Sequence, residues 1–478
     1  MPLTSLAVNI LGVLAFLAVG WLFSRNRTRI PWRSVGILTA LNVVIAWLLT
    51  GFPWGRAAVE GAAAGFNELV SVAWRGINFA FGDWVGPEGI DPTPANFVVS
   101  ALLPILLIVP LFDILTYIGF LPWLITWIGR GLSVITRQPK FEAFYAIEMM
   151  FLGNTEAVAV SKNQLQRMRP ERDVVIAMMS MSCVTASILA SYMQMVPGEF
   201  VLTAVPLNCL NALIVASMLY PLEITPEEDV IVTYADVQEN PGDQDVLAPA
   251  GETAGSGVTA AAGSVDAAGS SASTGAVGTA GSDAQKPAGA HSGGLSALIG
   301  RLTRKNPDAP AKEPFFSFLG DSIIGGGKMI LIITANVITF VALAALIDKV
   351  LGALWGPLSL ESILGVVMFI PAMLLGLDPS NAWDMSQIMG LKLVTNEFVA
   401  MGQVVGRVTD LPRHYQAVLT VFLTSFANFG TLGMIIGSFK GIVDKERNDL
   451  ISKNVGRMLL SGILVSLMSA GIVGIFVW

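Results

Sequence analysis

The sequence predicts an all-α polytopic membrane protein with eight transmembrane helices and two oppositely oriented re-entrant hairpins in an inverted repeat. Three observations carry that expectation. The chain of 478 residues is 53% hydrophobic and 13% charged, with a mean hydropathy of +0.66, whereas soluble domains hold roughly 25% charged residues. Apolar runs that could cross a hydrocarbon core, which takes roughly 20 helical residues, recur along it. Two further apolar stretches are too interrupted to be simple spans, and they are similar to one another.

The runs lie near 5–23, 35–52, 97–121, 174–195, 199–221, 328–350, 416–438 and 457–478. The first has no basic residues ahead of it and is followed by Arg25, Arg27, Arg29 and Arg33 instead of a cleavage site, so it reads as a membrane helix and not a signal peptide. Short cytoplasmic loops are enriched in Lys and Arg, and those four arginines put the N-terminus outside. Counting on gives inside loops at 130–140, 162–172, 222–327 and 439–456, and an outside C-terminus. Basic residues are present in each, among them Arg137, Lys140, Arg167, Arg172, Arg304, Lys445 and Arg447.

Residues 225–313 form an Ala/Gly/Ser tract too poor in bulky apolar side chains to fold, and are expected to be a disordered cytoplasmic linker. The stretch "FFSFLGDSIIGGGKMILI" after it is expected along the inner interface ahead of span six. The expected organisation is 1–140, scaffold spans one to three with an interfacial segment; 141–221, a first transport repeat; 222–313, the linker; 314–355, an interfacial segment and span six; and 356–478, a second transport repeat. Net charge is −7, but much of the acid lies in the linker and the first extramembrane loops, so it points to no nucleic acid or other partner beyond the lipid bilayer. Cys183 and Cys209 fall in apolar runs, and His291 and His414 lie far apart, so neither a disulfide framework nor a zinc set is expected. No cofactor is expected either.

The interrupted stretches are 141–161 and 361–405. By the charge count each begins and ends on one side, inside for the first and outside for the second. "FLGNTEAVAV" at 151–160 resembles "KLVTNEFVAM" at 392–401, and each is followed by a span rich in small and polar residues. A hairpin plus a weakened helix, repeated with opposite orientation, is the trace of an inverted-repeat transporter. Non-helical backbone at membrane depth is tolerated only beside protein or a watery cavity. A charged side chain at the bilayer centre costs roughly 2.5–3.5 kcal/mol on insertion scales, so Glu156 and Glu397 are expected to face that cavity.

Asn154, Asn428, Thr155, Thr431 and Phe426 join the two acids. Carboxylates accept from sugar hydroxyls, amides both donate and accept, and an aromatic offers a stacking face, which suits a neutral, hydroxyl-rich, partly flat molecule. Asp113 is expected to pair within the scaffold or mark a bend, the methionines at 178–181 to pack, and Asp384 to cap a helix. A channel or receptor would have no use for two opposed hairpins. An intramembrane enzyme lacks a membrane-depth His, metal-ligand spacing or a catalytic pair other than the glutamates, so the chain is not read as an enzyme.

With "LGNTEA" (152–157), "GLKLVTNEFVA" (390–400) and "SFANFGTLGMIIG" (425–437), the chain resembles the concentrative nucleoside transporters, and more closely their bacterial proton-coupled branch. The resemblance covers nearly the whole chain except the linker. It implies a homotrimer in the cytoplasmic membrane, importing nucleosides by proton symport with an elevator-like movement of the transport domain. It assigns the nucleobase to Asn154, Thr155, Glu156 and Ile188, and the ribose to Glu397, Phe426, Asn428 and Thr431. It also implies that a sodium site of other members is degenerate here near Met149, Leu152, Cys183 and Val184, because both ligating side chains are sulfur groups, poor partners for a hard cation. Glu156 or Glu397 is then the proton-coupling candidate, with Glu156 preferred because Glu397 is better used ionised against the ribose. A sodium-coupled carrier or a nucleobase transporter remains the alternative.

Overall fold

A computed structural model describes residues 3–85, 98–225, 227–229, 314–356 and 358–478. The chain divides into two compact units, 1–241 with 318–478, and 242–317. The expected linker at 225–313 lies almost entirely outside the described residues. Among the described residues the regular elements are all helices.

The N-terminal part comprises α1 (Leu3–Leu22), α2 (Trp32–Ala46), which continues as a π-helical turn over Trp47–Gly51, and α3 (Pro53–Val85). Next come α4 (Ile105–Tyr117) and α5 (Phe120–Thr136), which meet at an angle of 72° across left-handed Gly119. α6 (Lys140–Leu152) and α7 (Asn154–Val160) follow, joined by Gly153 alone. After α8 (Lys162–Arg167), the expected fourth span is two helices, α9 (Pro170–Met179) and α10 (Ala186–Met193), separated by a non-helical stretch at 180–185. α11 (Gly198–Leu219) closes the first half.

The second half opens with α12 (Phe315–Leu354), then α13 (Leu360–Met373), α14 (Pro379–Val394) and α15 (Glu397–Gly402). The expected seventh span is again two helices, α16 (Arg413–Leu423) and α17 (Phe429–Lys440), broken at 424–428. α18 (Lys445–Lys453) and α19 (Val455–Gly474) complete the chain. The same order therefore occurs twice: a helix packed along the first of two closely joined helices, α6–α7 and α14–α15 at the two expected hairpins, then a broken helix and a long buried helix.

Several expectations change in detail. Among the described residues five helices are long and apolar enough to cross a membrane, α1, α2 with its extension, α11, α12 and α19, and a sixth if α4 and α5 count as one bent span. The expected spans at 97–121, 174–195 and 416–438 are not single helices: Gly119 redirects the first, and non-helical breaks divide the other two. The second hairpin is α14 with α15. α13, also inside 361–405, instead packs along its first arm, as α5 packs along α6. Residues 315–327, expected along an interface, are the start of the continuous helix α12. Asp384 lies inside α14 and does not cap it; the cap is Asp378, whose Oδ1 accepts from the Ser380 and Asn381 amides at 3.1 and 3.3 Å. Asp384 pairs with Arg407 at 2.9 Å and accepts from the Tyr415 hydroxyl at 2.7 Å.

α11 and α19 form the packed centre, in contact with each other and with α1, α2, α9 and α16. Their apolar windows are 83% and 67% buried, against 12% for α12, which leaves most of its apolar surface uncovered by the rest of the chain. Beyond the spans, Asp444 caps α18, and the bond from the Arg447 amide holds its carboxyl below the usual range. That cap is therefore in place at neutral pH and is lost as the solution is made strongly acidic. Arg447 also bonds to the Leu165 and Met168 carbonyls and to Asp173, tying α18 to the connection between the first hairpin and α9.

A buried ion pair joins α6 and α9. Arg172 of α9, almost wholly buried, grips both carboxylate oxygens of Glu142 on α6 at 2.8 and 2.7 Å. Removing one partner of such a pair leaves an uncompensated buried charge. Arg172→Met is therefore expected to lower unfolding stability by about 3–5 kcal/mol, measured by thermal unfolding in detergent. Glu142→Gln combined with Arg172→Met should recover most of the loss.

Candidate functional site

Both hairpin tips meet a broken helix, and backbone geometry dictates how. At the first tip Gly153 adopts φ 86° and ψ −179°, a conformation open essentially to glycine alone. A Cβ there would lie 2.7 Å from the Thr185 Cβ and 3.2 Å from a Glu156 oxygen, so the missing side chain also permits close approach to the break between α9 and α10. At the second tip Asn396 is extended and caps α15, its Oδ1 accepting from the Val399 amide at 3.0 Å.

A helix that breaks leaves terminal carbonyls and amides without helical partners. Asn154 donates from Nδ2 to the Ser180 carbonyl at 3.3 Å, at the start of the first break, and its Oδ1 accepts from the Thr155 amide at 2.8 Å. The Thr155 hydroxyl donates to Glu156 Oε2 at 2.9 Å. In the second half Asn428 caps α17, its Oδ1 accepting from the Thr431 amide at 2.8 Å and from the Thr431 hydroxyl at 3.1 Å. Its Nδ2 donates to Glu397 Oε2 at 3.1 Å. Glu397 Oε1 accepts from the Tyr192 hydroxyl of α10 at 3.0 Å, which joins the second hairpin to the first broken helix. Reciprocally, α7 of the first hairpin packs on α17 of the second broken helix.

The predicted residues thus gather into two groups with different surroundings. Glu156 opens onto a cavity of about 370 Å³, lined also by Asp113, Thr116, Thr185, Ser187 and Ser322. Asp113 accepts from the Ser322 hydroxyl, a bond that joins α4 and α12. Glu397, Asn428 and Thr431 are buried and do not line this cavity, nor does Ile188, buried in α10. Phe426 is half-buried in the second break, against the core. Both oxygens of Glu397 are bonded, to Tyr192 and Asn428.

Met149 and Cys183 are buried; Leu152 ends α6 three residues after Met149, and Val184 follows Cys183 in the first break. The Cys183 sulfur sits 3.2 Å from the Cys209 sulfur, both thiols being free, so it is engaged by a second soft group. Among the described residues no group of three or more His, Cys, Asp or Glu side chains could hold a metal ion.

Sequence reading missed three groups. Tyr192 was passed over as one aromatic in an apolar run. Tyr145, whose hydroxyl pairs with Ser180 at 2.8 Å, gave no signal. Lys392 stands in the quoted repeat, and a lysine four residues before Asn396 in an otherwise apolar run was the available clue; it is fully buried.

Comparison with known proteins gives a consistent picture. The family profile described as "Na+ dependent nucleoside transporter N-terminus" matches residues 11–84, and its C-terminal counterpart matches 296–474. The chain is 38% identical over 471 residues to the purine nucleoside transport protein NupG of Bacillus subtilis, covering 98% of this chain and 99% of that one. It is 24% identical to the nucleoside permease NupC of Helicobacter pylori, covering 98% and 97%. In fold it is similar to CNTnw in an inward-facing substrate-bound state, with a TM-score of 0.77 and 23% identity over 99% of this chain and 98% of that one.

The glycine at the first tip provides a direct check. Gly153→Ala is expected to cost of order 1–3 kcal/mol of stability, read by thermal unfolding. Gly131→Ala in α5, where an added Cβ meets nothing within 4 Å, should leave stability unchanged or raise it.

Proposed function

Since the chain belongs to the concentrative nucleoside transporter family, we propose that it is a secondary active transporter that imports nucleosides across a bacterial cytoplasmic membrane by proton symport. It is a carrier and not an enzyme. The observation that carries the reading is the exchange of partners between the two halves. Glu397 of the second hairpin is bonded by Tyr192 of the first broken helix, while α7 of the first hairpin packs on α17 of the second. Two acid-bearing hairpins held this way form one body that binds substrate from two sides.

In this reading Asn154, Thr155, Glu156 and Ile188 hold the nucleobase, and Glu397, Phe426, Asn428 and Thr431 hold the ribose. The ribose hydroxyls donate to the Glu397 carboxylate, taking over from Tyr192 and Asn428. Phe426 supplies the stacking face. Glu156, on the cavity, takes up the coupling proton from one side and releases it to the other. A neutralised Glu156 makes passage through an apolar environment less costly than a charged one.

The hairpins with α9–α11 and α16–α19 are proposed to move as an elevator-type transport domain in alternating access, with both hairpins re-entrant and the two halves an inverted repeat. α1–α5 and α12 are the scaffold. The largely uncovered apolar length of α12 supports a scaffold that meets lipid and other copies of the chain, consistent with a homotrimer. Both termini then lie outside and the 222–313 linker in the cytoplasm.

A second reading is a sodium-coupled carrier, which the wording of the family profile favours. The sulfur groups of Met149 and Cys183 weigh against it, since a hard cation prefers oxygen ligands. Nucleobase transport is a further alternative, and it leaves Glu397 and its partners without a ribose to hold.

Radiolabelled nucleoside uptake into vesicles under separately imposed gradients decides between them. Uptake is expected to persist without sodium, to rise with an inward proton gradient and to collapse when that gradient is dissipated. Glu156→Gln should abolish the response to the proton gradient. Sodium-dependent uptake insensitive to the proton gradient would overturn proton coupling, and uptake of free bases in place of nucleosides would overturn the substrate assignment.

A further inference from the structure

The two breaks come together on α19, where residues spread over about a turn and a half touch both of them. The Ser461 hydroxyl donates to the Met178 carbonyl at 3.3 Å, just ahead of the first break. The Ser466 hydroxyl lies 2.6 Å from that of Ser425, inside the second. Gly462 meets both breaks at once. A Cβ there would lie 3.2 Å from the Cβ of Met181 in the first break, and 2.8 Å from the Cβ and 3.4 Å from the Cα of Ala427 in the second.

Carbon atoms in favourable contact stand about 3.5–4.0 Å apart, so a side chain at 462 would collide with Ala427. The Ala427 methyl has no torsion that could swing it away, and the collision is relieved only by moving the backbone of the break. Ala427 stands between Phe426 and Asn428, two of the residues assigned to the ribose. Met181 follows Ser180, whose carbonyl accepts from Asn154 on the base side at 3.3 Å. Helix propensity alone favours alanine inside α19, so close approach and not the helix is what glycine serves at 462. Gly456 of the same helix differs: a Cβ added there meets nothing within 4 Å.

We propose that Gly462 is a positioning residue for the nucleoside site: its missing side chain sets how closely the two broken helices approach, and so where Phe426 and Asn428 stand relative to Asn154. This role rests on the nucleoside reading above, and Gly462 acts on substrate through Ala427 and Met181. A methyl group at 462 displaces the second break in the free protein. Binding must then press the break back against an overpacked contact, which lowers affinity.

Binding of radiolabelled uridine and adenosine to purified full-length protein tests the proposal, with thermal unfolding measured alongside. Gly462→Ala should weaken binding of whichever compound the unsubstituted protein holds, by roughly tenfold. Gly456→Ala should leave binding unchanged. Gly462→Ala combined with Ala427→Gly moves one methyl across the contact and should recover most of the lost affinity. A merely structural role would lower the unfolding temperature of Gly462→Ala while its folded protein bound as tightly as the unsubstituted chain; that result overturns the inference and leaves nucleoside import standing. A double variant that binds no better than Gly462→Ala also overturns it. If Gly462→Ala does not fold, the double variant decides: folding with affinity close to that of the unsubstituted protein supports the inference, and any other result overturns it. Unsubstituted protein that binds neither uridine nor adenosine overturns the nucleoside reading, and the role of Gly462 with it.

Discussion

A helix that breaks inside a membrane must find partners for the backbone groups it frees, and most of the rest of this structure follows from that need. Two helices break here, at 180–185 and 424–428, and a hairpin tip is brought to each. Asn154 answers the Ser180 carbonyl at the first break, and Lys392 answers the Phe422 carbonyl at the second. Those tips cannot reach the breaks without close backbone approach, which is why Gly153 has a conformation and a clearance that a Cβ would destroy.

Charge is treated differently according to its task. Two acids that hold helices together are gripped by arginine, Glu142 by Arg172 and Asp173 by Arg447. At the hairpin tips arginine is absent from the acids' hydrogen bonds, which come from hydroxyls and an amide. Neutral donors can be exchanged for a substrate's hydroxyls at modest cost, whereas a buried arginine pair cannot be opened so easily. The two halves share an element order while differing in the side chain that meets the break, Asn154 at the first and Lys392 at the second.

Much of this was legible in the sequence because it is written in local composition. The repeat around Glu156 and Glu397, the weakened helices after each hairpin and the small residue at the first tip are all visible as strings. What could not be read was pairing over long sequence separation. Tyr192 reaches Glu397 across 205 positions, and no periodicity announces it. The extents of interrupted elements were also hidden, since an apolar run reads alike whether it is one helix or two; hence the eight expected spans where fewer are continuous. The bend at Gly119 and the pairing of α13 with α14 depend on packing, not on hydropathy. Asp384 was misread because a short acid near a helix start suits a cap, and the true cap, Asp378, lies six residues earlier.

The central claim is that two hairpins and two broken helices build one nucleoside site, with the base toward the first hairpin and the sugar toward the second. A high-resolution structure of the protein with bound nucleoside tests it most directly. The account predicts the ribose hydroxyls within hydrogen-bond distance of Glu397 and the base beside Asn154 and Glu156. A nucleoside bound elsewhere, or bound in the reverse orientation with its sugar at Glu156, would contradict it.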